Sequence, residues 1–253
     1  MHYPRRMTVD PLILPAVAFI TFAAAGFVKR VTGMGLPTVA MGLLGALISP
    51  LAAAGLLLVP SFVTNVWQLA TGPGLGPLVR RFRSMMVAIV AGTLAGSAML
   101  ASGDTDATTK ALGGVLVIYA GYTLLARQIR VPPMLERWLS PAAGLATGLV
   151  AGATGVFVIP AVPYLQSLEL EKDELVQTLG LSFTVSTVAL AAALIWRGAF
   201  RADNLVLSLL SVVPALAGMW VGQRVRDRVS PQTFRLFFLL GLALLGAEMV
   251  LRP

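Results

Sequence analysis

The chain alternates long apolar runs with short polar segments. Most of the runs approach the roughly 20 residues that an α-helix needs to cross the hydrocarbon core of a bilayer. The pattern therefore predicts an all-α polytopic membrane protein with about eight transmembrane helices. The predicted spans are Leu12–Val28, Leu51–Ala70, Ser84–Ala101, Lys110–Ala126, Pro141–Ile159, Leu175–Trp196, Asn204–Gly222 and Gln232–Leu251.

Two further segments are too short or too interrupted to cross a bilayer as regular helices. Met34–Ile48 would be only about 22 Å long at the helical rise of 1.5 Å per residue. Ile159–Leu168 contains Pro160 and Pro163, which interrupt a helix. We expect both segments to be broken or re-entrant, entering the membrane without crossing it.

An offset of about 122 residues brings related features of the two halves into register. Thr32-Gly33 falls on Thr154-Gly155, and Gly26 falls on Gly148. Each half then holds four spans with an interruption after the first. The predicted organisation is a first repeat over residues 1–126, a cytoplasmic connector over 127–140 and a second repeat over 141–253. An even number of crossings per half would leave both halves in the same orientation, related by an axis along the membrane normal.

Composition supports the membrane assignment and excludes several kinds of chemistry. Hydrophobic residues make up 57% of the 253 residues and charged residues only 12%, about half of the roughly 25% typical of a soluble domain. The chain has no cysteine, and its single histidine is His2 in the N-terminal tail. Thiolate and histidine metal sites and Ser–His proteolysis are therefore not expected. We expect no metal, no cofactor and no enzymatic activity, and the chain has no nucleotide-binding loop for ATP.

The net charge of +8 indicates membrane orientation and no nucleic-acid partner, because the arginines are scattered among short connectors. With eight crossings, both termini are predicted to be cytoplasmic, in a bacterial-type inner membrane. The scheme places inside Arg5, Arg6, Arg80, Arg81, Arg83, Arg127, Arg130, Arg137, Arg197, Arg201 and Arg252. It places outside the acidic connectors with Asp104, Asp106 and Glu169–Glu174, and also, against the rule, Arg224, Arg226 and Arg228.

The residues around the two interruptions resemble a known family. Gly26, Lys29 and Val31-Thr32-Gly33-Met34-Gly35, echoed by Gly148 and Gly152-Ala153-Thr154-Gly155, are similar to the glycine clusters of the TauE/SafE family of membrane anion transporters. The resemblance extends from about Leu12 to Leu251, although the first glycine cluster is sparser here than is usual in the family. It implies a secondary transporter or exporter of a small anion, with sulfite or an organosulfonate as the expected substrate. Such a transporter would work by alternating access around a midplane site between the repeats.

The two interruptions supply the first candidate substrate-binding residues. The N-terminus of a half-helix has unpaired N–H groups and a partial positive charge, so it attracts anions. The candidates are Thr32, Gly33, Gly35, Thr154 and Gly155. The alternative is that the glycines only permit close helix packing.

Two polar stripes supply the remaining candidates. Ser61, Thr64, Asn65 and Gln68 have the spacing i, i+3, i+4, i+7 and share one helix face. In the second half the corresponding stripe is Thr178, Ser182 and Ser186. Such stripes can coordinate an oxyanion through neutral hydrogen bonds, or they can hydrogen-bond helices to one another.

Charged residues near span ends have two interpretations. Lys29 and Arg30 follow an apolar run, so we expect them at the membrane boundary, while both are also candidates for attracting anions. Glu248 lies one turn from Arg252, which favours an interfacial ion pair over a proton-coupling role.

Glycines spaced by four residues, as in Gly92 and Gly96, predict close helix contacts. The alternative function is a non-transporting membrane scaffold or assembly factor, and the sequence is compatible with a homo-oligomer.

Overall fold

A computed structural model describes residues 12–72, 74–125, 130–200, 204–225 and 230–252. Within these ranges every regular element is a helix, as the apolar pattern predicts. The helices are α1 (Leu14–Thr32), α2 (Leu36–Leu47), α3 (Pro50–Ala70), α4 (Leu75–Ala101), α5 (Thr105–Leu125), α6 (Pro133–Thr154), α7 (Ala161–Gln166), α8 (Lys172–Trp196), α9 (Leu205–Leu210), α10 (Val212–Val225) and α11 (Pro231–Leu251).

Seven of the described helical segments are long and apolar enough to cross a membrane: α1, α3, α4, α5, α8, α11 and the joined pair α9 and α10. The predicted eighth span corresponds to α6, whose 22 residues reach about 33 Å. Its first turns carry Glu136 and Arg137 and its remainder is rich in Gly, Ala and Thr, so it is less apolar than the others. The count of eight therefore stays a prediction.

The predicted connector over residues 127–140 is partly helical, because α6 begins at Pro133. Its residues 127–129 lie outside the described part of the chain. The two interrupted segments are short helices, as expected from their length and prolines. α2 has 12 residues and α7 has six, and both are separated from the preceding helix by a short non-helical stretch.

Glycines bring the backbones of two helix pairs into direct contact, as their four-residue spacing predicts. In α4 and α6, a Cβ added to Gly92, Gly96, Gly144, Gly148 or Gly152 would lie only 2.2–2.4 Å from a carbonyl oxygen of the facing helix. In α1 and α10, a Cβ on Gly26 or Gly218 would lie 2.0 Å from such an oxygen. Only glycine fits at these positions.

The directions of the paired helices follow from their contacts. α4 and α6 run parallel, because Gly144 packs on Met85 while Gly152 packs on Thr93, and α1 and α10 are also parallel. By contrast, α3 and α8 run antiparallel, since the residue numbers of their contacts rise on one helix and fall on the other. The pair α5 and α11 is antiparallel as well.

These directions correct the expected relation between the two halves. α3 and α8 occupy corresponding positions of the predicted repeat, as do α5 and α11. Two halves related by an axis along the membrane normal would place corresponding helices parallel. The same-orientation expectation is therefore wrong. If the halves are repeats, their topology is inverted, because α2 and α7 each bring the chain back toward the side that it came from.

The predicted sides of several charged segments are wrong for the same reason. Arg130 was expected inside and the connector of Glu169 outside, yet their side chains form an ion pair at 2.8 Å. Arg197 was expected on the other side of the membrane from the acidic segment that follows α4. Its guanidinium instead hydrogen-bonds Ser97 at 2.7 Å, near the end of α4 that leads into Asp104.

The bundle thus has two ends with different charge. The arginine-rich end contains the start of α4, the start of α6, the end of α10 and the start of α11. The terminal end contains the start of α1 and the end of α11. Arg224, which disagreed with the sequence-based scheme, lies at the arginine-rich end, whereas Arg226 and Arg228 lie outside the described residues. Described arginines at the arginine-rich end are Arg30, Arg80, Arg81, Arg83, Arg130, Arg137, Arg224 and Arg235, against Arg197 and Arg252 at the terminal end.

Candidate functional site

Lys29 is the one Lys, Arg, Asp or Glu side chain that is buried in the described part of the chain, with 3% of its surface exposed. It lies in the last turn of α1. Its ammonium group donates hydrogen bonds to Thr64 Oγ1 at 3.1 Å and to Asn65 Oδ1. Two oxygen acceptors on α3 thus hold the Lys29 ammonium group inside the bundle, and its position along the membrane normal stays a prediction.

No carboxylate among the described residues pairs with Lys29. Its two partners are neutral, and a lysine ammonium has three N–H donors. A positive charge buried inside a protein is costly unless something compensates it. The site is therefore a buried cation whose partners in the protein carry no opposite charge.

A proline positions the acceptors of Lys29. Pro60 lies inside α3 and lacks the N–H that would bond the carbonyl of Leu56. Ser208 Oγ replaces that donor, bonding Leu56 O at 2.8 Å. One turn after the proline, Thr64 donates its own proton to Pro60 O at 2.8 Å. The Thr64 oxygen is thereby left to accept a hydrogen bond from Lys29.

The polar chain continues from α3 to α8. Asn65 Nδ2 donates to Ser61 Oγ at 3.0 Å, so the Asn65 carbonyl points towards Lys29. Ser61 Oγ and Thr187 Oγ1 are 3.2 Å apart and share a hydrogen bond. All four α3 and α8 members of the network are at most 2% exposed. The structure thus joins Lys29 with three of the predicted stripe residues, and it adds Thr187.

Sequence reasoning missed Thr187 because it paired α3 with the stripe of Ser182 and Ser186. The residues of α8 that contact α3 include Gly180 and Thr187, which are seven residues apart and share a helix face. The sequence contained a signal for Thr187, since a glycine two turns before a threonine permits the close approach of α3.

Gln68, the fourth residue of the predicted stripe, has a different role. Its Nε2 donates to the backbone oxygen of Val176 at 2.9 Å. Gln177 reciprocates, donating to Leu69 O at 2.9 Å and accepting from Gly74 N at 3.1 Å. These bonds fasten α3 to α8 near the arginine-rich end, and no hydrogen bond of the described residues connects Gln68 to Lys29.

The predicted stripe of α8 consists of hydroxyl groups without partners. Thr178, Ser182 and Ser186 are fully buried, and their oxygens have no hydrogen-bond partner within the described residues. Neighbouring Thr184 and Thr187 instead bond the carbonyl one turn before them. Buried polar groups are normally satisfied, so three unsatisfied hydroxyls in successive turns are available to a ligand.

The two interruptions have the same local chemistry. Thr32 Oγ1 donates to Val28 O at 2.9 Å, and Thr154 Oγ1 donates to Val150 O at 2.7 Å. Each hydroxyl also accepts from the backbone N–H two residues later, at 3.3 Å in both cases. The interruptions are thus equivalent at the predicted offset of 122 residues.

The structure places four of the five candidates at the C-terminus of a helix and not at the N-terminus of a half-helix, and their role in substrate binding stays a prediction. Gly33 and Gly155 have left-handed φ values of 80° and 73° and end α1 and α6. Their N–H groups bond carbonyls of the preceding turn, and the C-terminus of a helix disfavours anions. Thr32 and Thr154 terminate the same helices. Gly35 differs, because it precedes the first turn of α2.

The other charged candidates lie apart from Lys29. Arg30 points to α10, where its Nε donates to Gln223 Oε1. Glu248 pairs with Arg252 at 2.9 Å, which confirms the expected ion pair. Among the two basic residues at the end of α1, only Lys29 enters the polar network.

The model of the family described as sulfite exporter TauE/SafE matches residues 18–249. The chain belongs to the TauE/SafE family. No curated protein and no solved structure gives a significant match to it. This TauE/SafE chain is therefore a multi-pass membrane protein of a transporter family, as its seven apolar helices also indicate. The family assignment confirms the resemblance derived from the two glycine clusters.

Proposed function

We propose that this chain is a secondary transporter that exports a small anion, with sulfite or an organosulfonate as the substrate, and that the anion binds next to Lys29. The observation that carries the proposal is the buried ammonium group without a carboxylate partner among the described residues. A bound anion supplies the missing negative charge in a region of low dielectric. The side chains that contact Lys29, Thr64 and Asn65, are neutral and add no charge that would hold the anion too tightly for release.

The proposed mechanism is alternating access. The glycine contacts hold α1 against α10 and α4 against α6 backbone to backbone, so each pair can move as a unit. The contact between α3 and α8 instead depends on side-chain hydrogen bonds, which can exchange partners at little cost. Movement of the two pairs about α3 and α8 would open the Lys29 site to each side in turn.

The proposed orientation follows from the distribution of arginines. Basic residues in short loops favour the cytoplasmic side, and the described arginines concentrate at the arginine-rich end. We place that end in the cytoplasm of a cell with an inner membrane. The start of α1 and the end of α11 then face the outside, which is the reverse of the orientation that the eight-crossing scheme gave.

The test is flux of labelled sulfite in proteoliposomes, comparing wild type with Lys29→Gln and Lys29→Arg. Lys29→Gln should lose sulfite flux, because it removes the buried charge. Lys29→Arg should retain part of the flux, since the charge persists in a bulkier form. Lys110→Gln is the matched control, because Lys110 is an exposed lysine that pairs only with Asp106.

Size-exclusion profiles and melting temperatures show whether each variant is folded. A folded Lys29→Gln variant with wild-type flux would contradict the proposed site. If neither the folded wild type nor any variant shows saturable flux, the proposed function is contradicted and the scaffold alternative is favoured.

A further inference from the structure

We propose that a cleft at the terminal end of the bundle binds the head group of an anionic phospholipid through Arg197. The cleft lies between the end of α4 and the end of α8 and has a volume of about 410 Å³. Its walls are formed by Ala98, Ala101, Ser102, Trp196 and Arg197. The proposal concerns a lipid and not the transported substrate, so it does not depend on the Lys29 site.

The guanidinium group of Arg197 is held in place by contacts within the protein. Its Nε donates a hydrogen bond to Ser97 Oγ at 2.7 Å, and its Nη2 donates to the carbonyl oxygen of Leu94 at 3.1 Å. The guanidinium carbon also lies 5.7 Å from the centroid of the Trp196 ring, a distance typical of cation–π contacts. Because these contacts already restrict the side chain, a ligand that binds it loses little affinity to side-chain ordering.

The charge of Arg197 has no carboxylate partner among the described residues. The carboxylates that follow α4 are engaged elsewhere: Asp104 accepts from Ala107 N at 3.0 Å, and Asp106 pairs with Lys110 at 3.3 Å. A guanidinium has five N–H donors, and the described residues accept from two of them. The remaining donors can bind a phosphate group, whose oxygens match the fork of an arginine.

The surroundings of the cleft favour a lipid over a soluble anion. Both α4 and α8 are long and apolar enough to cross a membrane, and a cleft where both helices end lies near the membrane–water interface. Trp196 is 75% exposed and the neighbouring Ile195 is 61% exposed, and tryptophan at the end of a span is typical of the head-group region. Ala98 and Ala101 give the cleft an apolar wall, against which an acyl chain can pack while Arg197 binds the phosphate.

Thermal unfolding in a non-ionic detergent tests the proposal, because a ligand that binds the folded state raises the melting temperature. Phosphatidylglycerol is the anionic lipid, and phosphatidylcholine with the same acyl chains is the zwitterionic comparison. We expect phosphatidylglycerol to raise the melting temperature of the wild type by about 3 °C or more above the value with phosphatidylcholine. Glycerophosphoglycerol, which is the head group without acyl chains, should give no such rise at the same concentration.

Two cleft variants assign the effect to this site. Arg197→Gln should abolish the difference between the two lipids, because it removes the charge that binds the phosphate. Ala98→Phe should abolish the difference as well, since its ring fills the cleft while Arg197 keeps its bonds to α4. Ala98→Phe also decides the question if Arg197→Gln does not fold.

Arg137→Gln is the matched control and should keep the difference between the lipids. Arg137 is also exposed and lies 5.2 Å from the ring centroid of an adjacent tryptophan, Trp138. It is at the arginine-rich end, however, so its loss removes the same charge and leaves the cleft intact.

Four results would overturn the proposal. Equal stabilisation of the wild type by the two lipids would do so, as would a difference that persists in either folded cleft variant. Loss of the difference in Arg137→Gln would show that phosphatidylglycerol responds to the overall charge of the protein. An equal rise with glycerophosphoglycerol would assign the cleft to a soluble anion. None of these results depends on sulfite flux, so the proposed function and this proposal can fail separately.

Discussion

The contact between α4 and α6 makes Gly148→Ala a strongly destabilising substitution. The added Cβ would lie 2.2 Å from Ile89 O and 2.7 Å from Thr93 N. Ordinary van der Waals contact begins at 3.4 Å, so the helices must separate by about 1.2 Å at this level, the difference between 3.4 and 2.2 Å. Both of these atoms are backbone atoms, and no side-chain rotation can relieve the clash.

The expected cost follows from the interlocked glycine contacts. Overpacking a core typically costs 1–3 kcal/mol, and separation at Gly148 also loosens the contacts of Gly144 and Gly152. We expect destabilisation near the upper end, about 3 kcal/mol, which lowers the melting temperature of a protein of this size by roughly 6–12 °C. The assay is thermal unfolding of purified protein in detergent, followed by intrinsic tryptophan fluorescence.

The matched control is Gly114→Ala in α5. A Cβ there has no atom within 4 Å, and alanine is the better helix former by about 1 kcal/mol. We expect Gly114→Ala to melt at or slightly above the wild-type temperature. If Gly148→Ala melts within about 2 °C of wild type, the backbone contact between α4 and α6 does not carry the stability argued for it.

Two further predictions concern α3 and the membrane orientation. Ser208→Ala should destabilise the protein by about 1–3 kcal/mol, because Leu56 O loses the donor that replaces the missing N–H of Pro60; chemical unfolding measures the loss, and an unchanged stability would refute the role of Ser208. The chain has no cysteine, so single cysteines report sidedness: in intact cells an impermeant maleimide should label Arg252→Cys and spare Arg80→Cys. The reverse labelling would place the arginine-rich end outside.

Much of the fold was predictable because length and hydropathy are local properties of the chain. The long apolar runs predicted the spanning helices, and the prolines after Ile159 predicted an interrupted segment. Glycines at four-residue spacing predicted close helix contacts, since only the absence of a Cβ lets backbones touch. The Thr-Gly pairs at residues 32 and 154 correctly predicted two equivalent interruptions.

The side on which each connector emerges was decided by tertiary structure. Hydropathy gives the length of a short helix such as α2, but not whether it returns the chain to the side that it left. The prediction assumed that neither α2 nor α7 returns the chain to the side from which the preceding helix came. This assumption reversed the assigned sides of several charged segments. The ion pair of Arg130 with Glu169 depends on the direction of α7, because only α6 and α7 lie between the two residues.

In the candidate site, too, the sequence determined some features and only the tertiary structure determined the others. The sequence alone determined that Ser61, Thr64 and Asn65 share one helix face, because the period of an α-helix is fixed. It could not determine where Lys29 points, since a lysine at the end of an apolar run can extend to the membrane surface or turn inward. Only the tertiary structure brought the end of α1 to the oxygen acceptors on α3 that hold the Lys29 ammonium group inside the bundle.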